Sequence, residues 1–322
     1  MRRAVSDVTR IVGWLLISAF VLIGAWSGGS KAASAAAPAS GGKTGAKPPL
    51  FSGARAFTHL KKQVGFGYRI PGTSAHEACV KYIIAEMTPL SSSVTRDDFA
   101  LHLGSTNVPL TNIIAVQNPD APKRILLCAH YDTRPRADRD VYANRSKPIP
   151  GANDGASGVA VLIELARVLK ALPPSIGLEY VFFDGEDYGV NIDTMLLGSR
   201  HFADDLSRDD IASIKYGLLF DMVGEKDLTV TAEQYSMASA PGVYAALVTT
   251  AKSLGYMNFS EGSATPIEDD HTPLINAGVK MVDIIGFDYP YWHTVNDTVD
   301  KCSPDSLAIV GCTAEMVIRK ER

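Results

Sequence analysis

The chain of 322 residues predicts an α/β protein, a single three-layer α/β/α domain on a mixed, mostly parallel central sheet. Three observations carry this. Short apolar runs alternate with amphipathic helical segments from residue 155 onward, the pattern of parallel strands joined by crossover helices. The runs at 176–183 and 214–220 are apolar but for Glu179 and Lys215, as in strands buried on both faces. Three extended segments precede them with only a turn between the last two, which adds an antiparallel part to the sheet.

Residues 52–64 and 74–87 read as helices with apolar faces, and Pro71-Gly72-Thr73-Ser74 supplies a turn and an N-cap between them. Strands are predicted at 94–101, 111–117 and 124–130. Asn118-Pro119-Asp120 reads as a hairpin turn joining the last two. A strong helix over 155–172 has Val159, Leu162, Ile163, Ala166 and Leu169 on one stripe, and Pro173-Pro174 stops it. A strand at 176–183, a short helix at 199–206, a strand at 214–220 and a further strand at 228–233 follow. The remaining elements are a helix at 241–254, a short helix at 272–277 ended by Gly278, a strand at 280–285, and a helix over 303–318. Ser303 caps this last helix, with Pro304 at its first position. No internal repeat is visible.

Arg2, Arg3 and Arg10 precede an apolar stretch over 11–26, and Ala33-Ser34-Ala35 follows. This charged, apolar, small-residue order predicts a signal peptide or an uncleaved N-terminal membrane anchor over 1–35. The apolar stretch is long for the one and slightly short for the other. Residues 36–49, rich in Ala, Gly, Lys and Pro, read as a flexible linker, and 50–322 as the catalytic domain. The bulk of the chain is therefore expected to be exported: periplasmic, secreted or anchored facing outward. A net charge of −4 without a basic run or aromatic–basic interleaving excludes nucleic acid as a partner. Cys79, Cys128, Cys302 and Cys312 show no zinc-ligand spacing, and no essential disulfide is expected. No Gly-rich phosphate loop follows a strand, no His-Glu-x-x-His occurs, and Gly155-Ala156-Ser157-Gly158 follows no strand directly, so it is not a nucleophile elbow.

The chemistry lies where strands stop. Three apolar runs end on His130-Tyr131-Asp132, on Asp184-Gly185-Glu186-Asp187 and on Asp221. In open α/β sheets the ligand crevice lies beyond the carboxyl ends of the strands, so these side chains aim at one place. Carboxylate and imidazole together are zinc chemistry. In His130-Tyr131-Asp132 one residue is placed to bind metal and the other to orient it, although the tripeptide alone is an ordinary strand end. Asp154 precedes the 155–172 helix, where N-capping and a carboxylate aimed into the crevice are compatible readings. Glu186 and Asp187 can diverge, one toward metal and one toward substrate. Asp270 in Glu268-Asp269-Asp270-His271 reads as a helix cap. His293 lies in an aromatic loop with Tyr289, Tyr291 and Trp292, and His201 sits away from any strand end.

These motifs, in order, resemble a known family. Thr111-Asn112-Ile113-Ile114, His130-Tyr131-Asp132, Phe182-Phe183-Asp184-Gly185-Glu186, Gly198-Ser199-Arg200-His201, Asp269-Asp270-His271 and Trp292-His293-Thr294 are similar to the zinc exopeptidase clan of aminopeptidases and glutaminyl-peptide cyclotransferases. The cyclotransferase branch is the more similar, and the likeness runs from Arg69-Ile70-Pro71-Gly72 to the last helix. The resemblance implies a phosphorylase/hydrolase-like zinc exopeptidase fold. It implies one catalytic zinc on Asp154, Asp187 and His293, with Glu more usual at the position of Asp187. Glu186 would be the general base and acid, in a hydrogen-bond network with Asp221 and Asp269. Trp292 would wall the substrate pocket, with Glu268 and Tyr289 as further substrate contacts. His130 and Asp221, with Asp154 bridging, are the ligands the aminopeptidase branch uses for a second zinc. The segment 188–197 is short and lacks a tryptophan that some cyclotransferases carry there. The implied activity is cyclisation of N-terminal glutamine on peptide or protein substrates by a monomer. Aminopeptidase hydrolysis with one or two zincs is the alternative, and a non-catalytic binding protein the third.

Overall fold

Side-chain caps set several of the helix starts. Ser52 accepts from the Arg55 amide and starts α1 (Gly53–Val64), and Thr73 does the same for α2 (Ser74–Met87) through His76. Ser303 starts α9 (Pro304–Ile318), with Pro304 at the first position, where its missing N–H costs nothing. The structure, a computed structural model, describes residues 48–262 and 265–321. The predicted signal or anchor segment and most of the linker lie outside these residues. Among the described residues no helix is long and apolar enough to cross a membrane.

Six strands form one sheet in the order β1-β2-β4-β3-β5-β6: β1 (Ser93–Leu103), β2 (Thr106–Gln117), β3 (Arg124–His130), β4 (Gly177–Phe183), β5 (Ile214–Asp221) and β6 (Met281–Ile285). β1, β2 and β4 pair antiparallel, while β4, β3, β5 and β6 are parallel neighbours. The turn at Asn118-Pro119-Asp120 does not close a hairpin between β2 and β3, contrary to expectation. β1 and β2 are longer than their periodicity suggests and form the hairpin themselves, turning at Gly104-Ser105. β4, delivered by the crossover helix α3 (Ala156–Ala171), pairs with β2 on one side and β3 on the other.

Strand alternation sorts side chains to two faces. Leu127, Tyr180, Leu218 and Val282 join the cluster with Leu60 of α1, Ile83 of α2, Leu162 of α3 and Val310 of α9. Leu126, Cys128, Val181 and Leu219 join a second cluster. It contains Phe202 of α4 (Leu197–Asp205) and Leu274 of α8 (His271–Ala277), with Ile211 of α5 (Arg208–Ser213) packed against it. The molecule is thus an α/β/α sandwich with both sheet faces covered. All four cysteines are buried and free.

The strand expected at 228–233 is replaced by a single bridge between Val230 and Phe259. Glu233 instead accepts the amides of Tyr235 and Ser236 and caps α6 (Gln234–Ser239), a short helix that apolar periodicity did not reveal. The helix predicted over 241–254 is α7 (Pro241–Ser253).

α3 lies close against the sheet because Gly158 carries no side chain. A Cβ there would collide with the Phe220 carbonyl oxygen and come within 2.9 Å of Ala129 Cβ. Gly158→Ala is expected to destabilise the protein by roughly 1–3 kcal/mol, the usual cost of overpacking. A thermal midpoint at or above that of the unmodified protein would show that α3 can back away freely.

Candidate metal centre

The carboxyl ends of β3, β4 and β5 and the loops after them converge. His130 ends β3, Glu186 and Asp187 follow β4, Asp221 ends β5, Asp154 precedes α3, and His293 lies in the loop after β6. All six are buried. His130 Nε2 is 3.2 Å from Asp154 Oδ1 and 3.2 Å from Asp221 Oδ1. His293 Nε2 is 3.6 Å from Asp154 Oδ2 and 3.3 Å from Asp187 Oδ1. Two donor groups result, each with ligand atoms within 4.8 Å of one another: Asp154, Asp187 and His293, and His130, Asp154 and Asp221. Asp154 belongs to both.

The residues fit a divalent metal. Asp154 Oδ2 and Asp187 Oδ2 are buried without a hydrogen-bond donor. Leaving ionised oxygens unmatched in the interior is costly unless a cation meets them. Two carboxylates and an imidazole are a donor set zinc accepts.

Asp154 does not cap α3, contrary to expectation. The N-cap position is Gly155, with φ 95° and no side-chain cap bond. A Cβ on Gly155 would stand 2.7 Å from the Asp132 carbonyl oxygen. The cap position therefore falls to glycine, and the Asp154 carboxylate stays free to face the histidines. Asp270 occupies the N-cap position of α8 but its carboxylate caps nothing; both of its oxygens are buried without a donor.

A scaffold of polar groups holds the ligands. Asp132 accepts the amides of Glu186 and Asp187, each at 3.2 Å, and its Oδ1 lies 3.4 Å from His130 Nδ1. One carboxylate thereby orients three candidate site residues. Asp297 accepts the amides of Asn153 at 2.9 Å and Asp154 at 3.1 Å. The fully buried Arg69 donates to the carbonyls of Tyr131, Pro150 and Gly151, tying the end of β3 to the Asp154 loop. His293 takes φ 54°, a left-handed conformation that costs a non-glycine residue energy and concentrates at functional positions.

The charges act strongly on one another. Burial pushes the Glu186 carboxyl well above the usual range; the charges of Asp187 and Asp269 add to this, and His130 opposes it. Burial and the charge of Asp187 push Asp154 to about 7. Burial would raise Asp187 too, but His293 and Arg134 hold it below the usual range. Burial would lower His293; Asp187 and Asp138 overcome it and raise the imidazole to about 9. A dication among these groups would pull each carboxyl down.

Of the expected substrate contacts, Trp292 is half-buried, its ring centroid 4.2 Å from that of His293 and 4.8 Å below the Arg139 guanidinium. Tyr289 is buried and its hydroxyl donates to Asp297 at 2.7 Å, so it supports the Asp154 loop rather than lining an open surface. Glu268 is exposed and accepts from the Tyr235 hydroxyl at 3.0 Å. Asp269 is buried, with Oδ2 lacking a donor. It also belongs to an unforeseen buried group with His271 and Asp283, where His271 Nε2 lies 3.0 Å from Glu233. Burial drives Asp269 and Asp283 well up and Asp270 to about 7, and the charges of these neighbouring acids add to the rise. Arg134, Asp138 and Asp297 went unnoticed in the sequence because they end no apolar run. His201 pairs with Asp97 and stacks on Phe99, away from the cup.

Sheet, crevice and donor set define an α/β/α metalloenzyme. The chain belongs to Peptidase family M28, whose profile matches residues 112–318. It is 28% identical to the Bacillus subtilis aminopeptidase YwaD over 64% of its own length, and the aligned part spans only 43% of that enzyme. It is 27% identical to the glutaminyl-peptide cyclotransferase of Bothrops jararaca over 74% of each chain. The glutaminyl cyclase structure of Bacteroides thetaiotaomicron superposes with a TM-score of 0.81 at 35% identity, covering 86% of this chain and all of that one. A Zn-dependent exopeptidase structure from Parabacteroides distasonis superposes with a TM-score of 0.81 at 33% identity, covering 85% of this chain and all of that one, and such exopeptidase relatives imply zinc.

Proposed function

We propose that the protein is a zinc-dependent glutaminyl-peptide cyclotransferase, exported through its N-terminal segment, that acts as a monomer on the N-termini of peptides or proteins. The observation that carries this reading is the buried Glu186 beside the Asp154, Asp187 and His293 group. The likeness to a glutaminyl cyclase over that enzyme's full length supports it.

Asp154, Asp187 and His293 would hold the zinc, which supplies Lewis-acid polarisation of the γ-carboxamide oxygen of an N-terminal glutamine. Glu186 takes a proton from the α-amine as its nitrogen bonds to the amide carbon, then gives that proton to the amide nitrogen as the C–N bond breaks. Ammonia leaves and a pyroglutamyl peptide remains. Burial and the neighbouring charges of Asp187 and Asp269 favour the protonated state of Glu186 between the two transfers. Trp292 closes one side of the cup with apolar surface and sheds water from it.

The His130, Asp154 and Asp221 group favours a second reading, an aminopeptidase with two zincs, in which Glu186 draws its proton from water instead. Purified protein loaded with zinc and offered Gln-peptides and Leu-peptides separates the readings. Ammonia without chain cleavage is expected. Free amino acid would replace the cyclotransferase by the peptidase, and neither product would leave a binding role. Elemental analysis is expected to find one zinc per chain, against two for the peptidase.

A further inference from the structure

The loop after β3 reaches across the cup to both flanks of the Asp187 and His293 pair. Its Arg134 is buried, at 4% exposure. The guanidinium grips Asp138 through two bonds, Nε to Oδ1 at 2.8 Å and Nη2 to Oδ2 at 3.2 Å. Its Nη1 donates to Asp187 Oδ1 at 2.8 Å and leans on the Asp187 carbonyl oxygen at 3.4 Å. Asp138 Oδ1 in turn lies 3.2 Å from His293 Nδ1, and His293 Nε2 closes the circuit on Asp187 Oδ1 at 3.3 Å. Asp187, Arg134, Asp138 and His293 thus form a closed ring joining the loops after β3, β4 and β6. Among the described residues, no other Lys or Arg side chain forms an ion pair with Asp154, Glu186, Asp187, Asp221 or Asp269.

The ring constrains both ligands. Asp187 Oδ1 is engaged by the guanidinium, whereas Oδ2 has no donor. Asp187 therefore has one oxygen to give. His293 presents Nδ1 to the Asp138 carboxylate at 3.2 Å, a charge contact rather than an aligned hydrogen bond, and turns Nε2 toward Asp154 and Asp187. Arginine suits the task because its planar fork spans two carboxylates at once, which a lysine ammonium does not.

We propose that Arg134, acting with Asp138, is a positioning residue of the zinc site that limits Asp187 to one coordinating oxygen and locks the ring of His293. This rests on the reading that Asp154, Asp187 and His293 hold zinc. It adds that the affinity and coordination number of the site are set by two residues of the β3–α3 connection, Arg134 and Asp138, that are not themselves ligands.

The test uses the purified full chain. Zinc affinity is measured by chelator competition, and the visible spectrum is recorded with Co²⁺ in place of zinc. Arg134→Met is expected to weaken zinc about 10- to 100-fold, the range for losing a group that orients a ligand. Its Co²⁺ band should lose intensity, because an Asp187 freed to give both oxygens raises the coordination number. Asp138→Asn is expected to weaken zinc in the same direction. Arg134→Lys keeps the buried charge without the fork and is expected to fall between Arg134→Met and the unmodified protein. Wild-type affinity with an unchanged Co²⁺ spectrum in Arg134→Met overturns the proposal. If that variant does not fold, the same result in Arg134→Lys does so. An unmodified protein that takes up no zinc removes the ligand assignment itself, a failure distinct from that of the ring.

Discussion

Glu186→Gln is expected to lower turnover by roughly 10²- to 10⁴-fold, the range that positioned proton transfer contributes, while zinc remains bound. The amide keeps the shape of the carboxyl but can neither take up nor return a proton. Glu186 is not in either donor group, so its loss leaves the ligands intact. Its backbone is fixed independently of its side chain, since its amide donates to Asp132. The folded state should therefore survive, and near-native zinc affinity beside the collapse in rate is the signature sought. Either alternative reading of the chemistry predicts the same loss, because both route their proton through this carboxyl. Turnover within a few-fold of the unmodified enzyme would take Glu186 out of the mechanism.

Asp154→Asn is expected to weaken zinc beyond the roughly 10- to 100-fold that loss of a mere supporting group costs. Asp154 is the residue common to both donor groups, facing His130 through one oxygen and His293 through the other. No single neighbour can replace it. The metal-free protein should lose no stability. In that state Asp154 is a buried acid whose pKa burial and the charge of Asp187 push to about 7, so removing its charge relieves repulsion. The backbone of the loop is held separately, by Asp297 through the Asn153 and Asp154 amides. Chelator competition and thermal melting of the metal-free form together check this. Unchanged zinc affinity would show that the ion, if bound, sits elsewhere, and would carry the enzyme reading away with it.

Much of the centre could be read along the chain because of how parallel sheets are wired. Apolar runs stopping on His130, Glu186-Asp187 and Asp221 mark strand ends, and strand ends of such sheets face one crevice. The ordered motifs added Asp269 and His293, which lie in loops where no periodicity speaks, and Asp154 stood out by its place before the helix over 155–172. Pairing was harder. Asn118-Pro119-Asp120 has turn chemistry, but turn chemistry says only that the chain bends, not which strand lies beside which. The α3 crossover carries β4 in between β2 and β3, a matter of long-range packing that a local signal does not encode. The capping expectation for Asp154 failed for a related reason, since the close approach of the Asp132 carbonyl requires glycine at position 155.

The sequence by itself determined the α/β class, the alternation that covers both sheet faces, and the kinds of donor gathered at the strand ends. These follow from local periodicity and side-chain chemistry, which each segment carries with it. Only the tertiary structure decided the strand order, the double role of Asp154, and the ring of Arg134 and Asp138 around Asp187 and His293. Those depend on distances between residues far apart in the chain, and contacts of that kind exist only once packing has brought separate loops together in a low-dielectric interior.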